Sequence, residues 1–355
     1  MECAASCCCE EKPKRCIRAA CSHDIRQPWA SSSRCDNLSQ AVRRVGLLLR
    51  RLLLCCVLVV GSPAGADPRA VVGSLDSVGS ETLAGLMLRW GEQLERDYPG
   101  VRLQLQASGS ATAPAALAAG TSRLGPMSRR MSGAERDAIE ARQGYPPLEI
   151  PVALDALAVF VHRHHRLEAL SLAEVDALFS DTRRCGASEA ITRWETLPGS
   201  ERRGSVSRHG RNSVSGTHGV FKRQALCGGD FRLDVNEHTG SAAAVAAVAA
   251  APGAIGYAGA GYLTAGVRAV ALESTDGEAL APTAANVLSG DYPLSRALYL
   301  YVNLPPGERL PPPEAAFVSL VLSAEGQALA EESGFIALPE QLRRDARMQL
   351  GLENG

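Results

Sequence analysis

The sequence predicts an α/β fold on two observations. Short apolar segments of strand length alternate with stretches of helical period, and three Ser/Thr/Gly-rich loops each lead from a strand end into a helix start. Residues 70–75 and 101–106 read as strands, the second alternating with Leu103 and Leu105 on one face. Between them Leu83, Leu86, Met87, Trp90 and Leu94 recur at helical spacing, and Tyr98-Pro99-Gly100 stops the helix. Residues 115–119 read as a short helix, 124–127 as a strand, 156–161 as a fully buried strand and 172–179 as a helix capped by Ser171. Helices follow at 220–225 and 242–250, strands at 254–257, 267–272 and 297–302, and a last long helix at 317–332. No internal repeat is present, and the alanine-rich stretch reads as a closely packed helix.

The first 66 residues read differently. Residues 52–60 are an uninterrupted apolar run preceded by Arg43, Arg44, Arg50 and Arg51, and Pro63 and Ala64-Gly65-Ala66 follow. This is the layout of a secretory signal cleaved after Ala66, with an apolar core too short to span a bilayer. Leu53 and Leu54 before Cys55 argue against lipidation. Residues 42–66 are therefore expected to be a signal peptide and residues 1–41 a non-structural extension. A long polar preface before a signal is unusual, and a translation start near Val42 or Val45 is one explanation. Nine of the eleven cysteines lie upstream of Ala66, and Cys7-Cys8-Cys9 lacks the paired spacing of a zinc site. Cys185 and Cys227 remain, an even pair that can form one disulfide in an oxidising compartment.

Residues 1–66 hold ten of the 37 Lys/Arg and five of the 38 Asp/Glu, so their removal leaves 27 and 33, a net charge of −6. An acidic chain without a basic stretch is a poor match for nucleic acid. Anion binding must come from local donors and helix ends.

Three loops supply such donors: Asp76-Ser77-Val78-Gly79-Ser80-Glu81-Thr82, then Ser108-Gly109-Ser110-Ala111-Thr112 with Pro114 suited to the first helical turn, then Arg211-Asn212-Ser213-Val214-Ser215-Gly216-Thr217. Each puts hydroxyls and main-chain N–H groups at a helix N-terminus and at the carboxyl end of a strand, where open α/β sheets bind ligands. One such loop alone is most simply a set of N-caps. Three, one carrying an arginine, point to a multiply charged oxyanion such as phosphate. Neither G-x-S-x-G nor GxxxxGK[ST] occurs. His162, His164 and His165, with Arg163 and Arg166, read as a solvated surface turn rather than a metal site, and Trp90 and Trp194 as core aromatics.

In spacing and order, Gly79-Ser80-Glu81-Thr82-Leu83, Ala107-Ser108-Gly109-Ser110, Gly125-Pro126-Met127-Ser128-Arg129, Pro151-Val152-Ala153-Leu154-Asp155-Ala156-Leu157-Ala158-Val159, the Arg211–Thr217 segment and Ala254-Ile255-Gly256-Tyr257 resemble the substrate-binding proteins of phosphate ABC transporters. The resemblance implies a two-lobed, type II periplasmic-binding-protein fold with its ligand in the inter-lobe cleft. Residues 67–153 would begin lobe 1, residues 154–253 form lobe 2 and residues 254–355 complete lobe 1. By matching position, Thr82, the Leu83 N–H and Ser110 would bind phosphate from one lobe, and Arg211, Ser215, the Gly216 N–H and Thr217 from the other. In the best-known subgroup an aspartate follows the third strand. Here Ser128 and Arg129 stand there, as in a Ser-Arg branch of the family, and Asp155 is a candidate for the missing proton acceptor. Ser213 stands where some members place an acid that orients the arginine. The implied protein is a monomer with no cofactor and no metal, not an enzyme, periplasmic or secreted, and served by an ABC-transporter permease. The competing readings are a phosphate sensor and a secreted phosphate-ester hydrolase with Ser215 or Ser80 as nucleophile.

Overall fold

The computed structural model describes residues 71–352. The expected extension, signal peptide and cleavage site lie outside them, as do the nine upstream cysteines.

Strand β1 (Val72–Val78) leads through the first loop into helix α1 (Ala84–Asp97). Leu86, Met87, Trp90, Gly91 and Leu94 form its buried face, as their spacing requires. A Cβ on Gly91 would stand 2.9 Å from Leu103 Cδ2, so the glycine lets α1 lie close on β2 (Gly100–Gln106). The second loop enters α2 (Ala113–Ala119), which is followed by β3 (Leu124–Met127) and α3 (Gly133–Gln143).

Next comes the element that organises the molecule, the fifteen-residue strand β4 (Leu148–His162). Then follow β5 (Ala169–Leu170), α4 (Leu172–Phe179), β6 (Ser207–Arg211), α5 (Gly216–Gln224), β7 (Val235–His238), α6 (Ser241–Ala250) and β8 (Ala254–Gly259). Short strands β9 (Val267–Ala269), β10 (Ala271–Glu273) and β11 (Ala279–Leu280) precede α7 (Ala284–Ser289) and β12 (Ser295–Val302). Helices α8 (Pro312–Val321), α9 (Ala324–Glu332) and α10 (Glu340–Gln349) end the described chain.

Strand pairing runs continuously through β2-β1-β3-β12-β4-β8-β6-β7, with β9 also paired to β4, and β11-β10-β5 form a separate small sheet. Residues 148–156 of β4 pair antiparallel with β12, and residues 157–161 pair antiparallel with β8. One strand thus belongs to two sheets. Leu75, Met87, Trp90 and Phe317 lie in the core of one lobe, and Phe179, Trp194, Phe221 and Tyr257 in that of the other. Trp90 and Trp194 are fully buried, and their indole N–H groups donate to the Gly326 and Gly253 carbonyls.

The strand pairing moves one expected boundary. Residues 254–355 are expected to rejoin lobe 1, yet β8 pairs β4 and β6, and β9 pairs residues 160–162 of β4. The chain returns to the first sheet only at β12, between β3 and β4. Other departures have local causes. The long helix expected at 317–332 is two helices, because Ser323 turns its hydroxyl to accept from the Gly326 N–H and opens a new N-terminus. Strand β6 reads Ser-Arg-His-Gly-Arg and escapes an apolar search. Its buried Arg208 donates to the Val206, Leu178 and Ile191 carbonyls and to Asp234. Helix α4 is capped by Ser171 as expected, with Ser171 and Glu174 bonding reciprocally in a capping box. Cys185 and Cys227 are joined in a disulfide that ties down the segment between them. Among the described residues no helix is long and apolar enough to cross a membrane.

Candidate anion-binding site

The three loops meet at the junction of the two lobes. In the first, Ser80 N–H donates to the Pro126 carbonyl at 2.7 Å, and a Cβ on Gly79 would fall 2.2 Å from that same oxygen, so only glycine fits. Leu83 precedes α1 with helical angles, and no side chain caps its first amides. In the second loop Gly109 has φ +125° and lies against the third, where its Cβ would be 2.8 Å from the Val214 carbonyl. The Ala111 N–H donates to that carbonyl at 3.1 Å, a backbone bond from lobe to lobe.

The side chains converge across the same junction. Thr82 Oγ1 and Thr217 Oγ1 are 3.1 Å apart. Ser110 Oγ accepts from the Ser128 N–H at 2.9 Å and lies 3.1 Å from Ser128 Oγ. Gly216, the first residue of α5, presses on both serines; a Cβ there would be 2.4 Å from Ser110 Oγ and 2.6 Å from Ser128 Oγ. Ser215 caps α5, accepting the Thr217 N–H at 3.1 Å. Thr82, Ser110, Ser128, Ser215 and Thr217 are all buried.

Two charges deepen the site. Arg296 and Asp155 face each other in the β12–β4 register. Arg296 Nε and Nη2 donate to Asp155 Oδ2 at 2.9 and 2.5 Å, while Nη1 donates to Thr217 Oγ1 at 2.9 Å and to the Ser128 carbonyl at 3.2 Å. Because Thr217 Oγ1 accepts from the guanidinium, its own hydrogen is directed toward Thr82 Oγ1 or a ligand. Asp155 is 1% exposed and its Oδ1 has no hydrogen-bond partner. Burial pushes the Asp155 carboxyl above its usual range, opposed by Arg296 and the Ala156 amide.

Arg211 is 1% exposed. Its Nη1 donates to Ser241 Oγ at 2.5 Å, Nη2 to the Thr239 carbonyl at 2.7 Å, and Nε to the His238 carbonyl at 3.4 Å. Nη2 also pairs with Glu81 Oε2 at 2.8 Å. Burial lowers the Arg211 pKa and Glu81 opposes that shift. The acid that orients this arginine is thus Glu81 of the first loop. Ser213, at the position where some members of the resembled family place an acid, is exposed.

Of the residues singled out in the sequence, Thr82, Ser110, Ser128, Gly216 and Thr217 meet directly, Leu83 and Ser215 adjoin them, and Asp155 joins through Arg296. Arg129 does not join: its guanidinium forks onto Glu135 at 2.7 and 2.6 Å, within the capping box of α3. Sequence reasoning missed Arg296 and Glu81. Arg296 carries a signal of its own, a lone charge in an otherwise apolar alternating strand. Among the histidines, His164 is exposed but His165 is buried against Trp194, with ring centroids 4.2 Å apart. Among the described residues no group of three or more His, Cys, Asp or Glu is placed to hold a metal ion.

Two sheets sharing one strand, with hydroxyls, a glycine and buried arginines between them, define a two-lobed solute-binding protein. The PBP superfamily domain matches residues 64–325. The chain is 49% identical over 285 residues to the phosphate-binding protein PstS of Pseudomonas aeruginosa, covering 79% of this chain and 88% of that one. It therefore belongs to the PstS family of phosphate-binding proteins within the PBP superfamily. Two solved structures share the fold. One, from Clostridium perfringens, is assigned as a phosphate ABC transporter substrate-binding protein and holds phosphate (TM-score 0.64, 23% identity, 75% of this chain and 100% of that one). The other is an ABC-type phosphate transport receptor from Vibrio cholerae (TM-score 0.59, 20% identity, 75% and 100%).

Proposed function

We propose that this protein is exported and captures inorganic phosphate between its lobes for an ABC-type uptake system, as a monomer that hands its ligand to a permease. The observation that carries this reading is the meeting of Thr82 and Ser110 from one lobe with Gly216 and Thr217 from the other, beside a buried arginine. Hydroxyls that now bond one another can turn to a tetrahedral oxyanion, while the Arg211 guanidinium and the amides at the starts of α1 and α5 supply charge and N–H donors. The Pseudomonas aeruginosa relative and the two structural neighbours are all phosphate proteins by description.

Asp155 supplies the preference for phosphate over sulfate in this reading. Its buried Oδ1 lacks a partner and can accept the proton that phosphate carries and sulfate does not. A hydrolase is disfavoured because neither candidate nucleophile meets a base: Ser215 Oγ accepts a helix amide, and Ser80 Oγ has no hydrogen-bond partner.

Calorimetry on the purified protein with phosphate and sulfate tests the proposal. Phosphate should bind one to one and more tightly than sulfate, and Asp155→Asn should narrow that difference. Arg211→Ala should weaken phosphate roughly a hundredfold, the value of one charge-assisted hydrogen bond. No heat with any oxyanion, or unchanged affinity in Arg211→Ala, would remove the reading.

A further inference from the structure

We propose that Glu81 is the clasp of the two lobes: a positioning residue on lobe 1 that fixes Arg211 of lobe 2 and slows release of the bound anion. This rests on the phosphate-binding reading above.

A carboxylate beside an anion site is unfavourable by itself, so its place there needs a compensating partner. Glu81 has two, and both belong to the other lobe. Its Oε2 pairs with Arg211 Nη2 at 2.8 Å. Both of its oxygens also face the Ser241 N–H that opens α6, at 3.3 and 3.4 Å. Ser241 is itself bound to Arg211 through its hydroxyl. Gly240 leaves the space for this approach: a Cβ on it would stand 3.1 Å from Glu81 Oε1. The carboxylate therefore ties together the arginine, the serine that orients it and a helix N-terminus.

The next residue along is Thr82, which touches Thr217. The clasp and the hydroxyl contact consequently form in the same motion, when the lobes come together. Bonds that exist only in the closed form act on release, because the ligand leaves after they break, and they have little influence on the encounter with open lobes.

Stopped-flow kinetics with inorganic phosphate on wild type, Glu81→Gln, Glu81→Asp and Glu81→Ala tests this. Glu81→Gln and Glu81→Ala should release phosphate roughly tenfold faster or more, somewhat less than for a fully buried charge pair because Glu81 is 24% exposed. Association should change little, and Glu81→Asp should recover part of the slow release. A merely structural defect would lower the fraction of protein that binds without altering the release rate. Release from Glu81→Gln at the wild-type rate or more slowly, with full binding amplitude, overturns the proposal. Failure of the wild type itself to bind phosphate would instead overturn the functional reading on which it rests.

Discussion

Arg296 is the single charge of β12 and Asp155 interrupts the apolar middle of β4, and the antiparallel register of the two strands sets them opposite one another. Both are buried, at 6% and 1% exposure, so each is tolerated only because of the other. Replacing Arg296 with Met should lower stability by about 3–5 kcal/mol, because it strands a buried carboxylate. Urea denaturation of Arg296→Met checks this, and a curve superimposable on that of the wild type would contradict it. The same pair shows what a sequence can reveal at this scale. Asp155 stands out because it interrupts an apolar run within a recognisable motif. Arg296 has the same local appearance, but its meaning depends on which strand lies beside it, and register is a property of the folded chain. Glu81 is hidden for a similar reason: its partners are 130 and 160 positions away in sequence, and adjacency arises only when two lobes meet.

Among the elements, the start of α5 is the most constrained. Gly216 lies within van der Waals reach of two serines on the opposite lobe, and its side chain would have to occupy their hydroxyl oxygens. Gly216→Ala should leave each lobe folded but hold them apart, weakening phosphate by roughly tenfold to a hundredfold, the scale of an overpacked contact. Circular dichroism together with calorimetry would show native helix content with reduced affinity; full affinity would contradict the close contact. The three loops are legible as helix N-termini because capping chemistry is local. The polar strand β6 and the break at Ser323 are not, since one depends on buried hydrogen bonds to Arg208 and the other on a serine choosing to cap rather than continue a helix. Arg129 misleads for the same reason. A guanidinium next to Ser128 looks available until Glu135, three positions into the following helix, claims it.

For the whole molecule, one strand joins the lobes and two imidazoles, His165 buried and His218 half-buried, tie its stability to acidity. Burial, reinforced for His165 by Arg202 and for His218 by Lys222, pulls each from the ordinary 6.5 down to about 4. A histidine with a depressed pKa stays neutral in the fold while the unfolded chain takes up its proton. Stability from these groups is therefore complete above about pH 6.5 and is lost as pH falls toward about 4. The urea midpoint of the wild type should fall between pH 7 and pH 4.5, and the double variant His165→Phe, His218→Phe should fall less steeply. Parallel slopes for the two proteins would refute this assignment.

The proposed oxyanion lies between the lobes, bounded by Thr82, Ser110, Thr217 and Arg211. Crystals grown with arsenate, whose arsenic gives an anomalous signal, locate such an ion directly. One strong peak is expected roughly 4 Å from Thr82 Oγ1, Thr217 Oγ1 and the Arg211 guanidinium, the arsenic-to-donor distance when arsenate oxygens accept their hydrogen bonds. A peak elsewhere on the surface, or none at saturating arsenate, would contradict it.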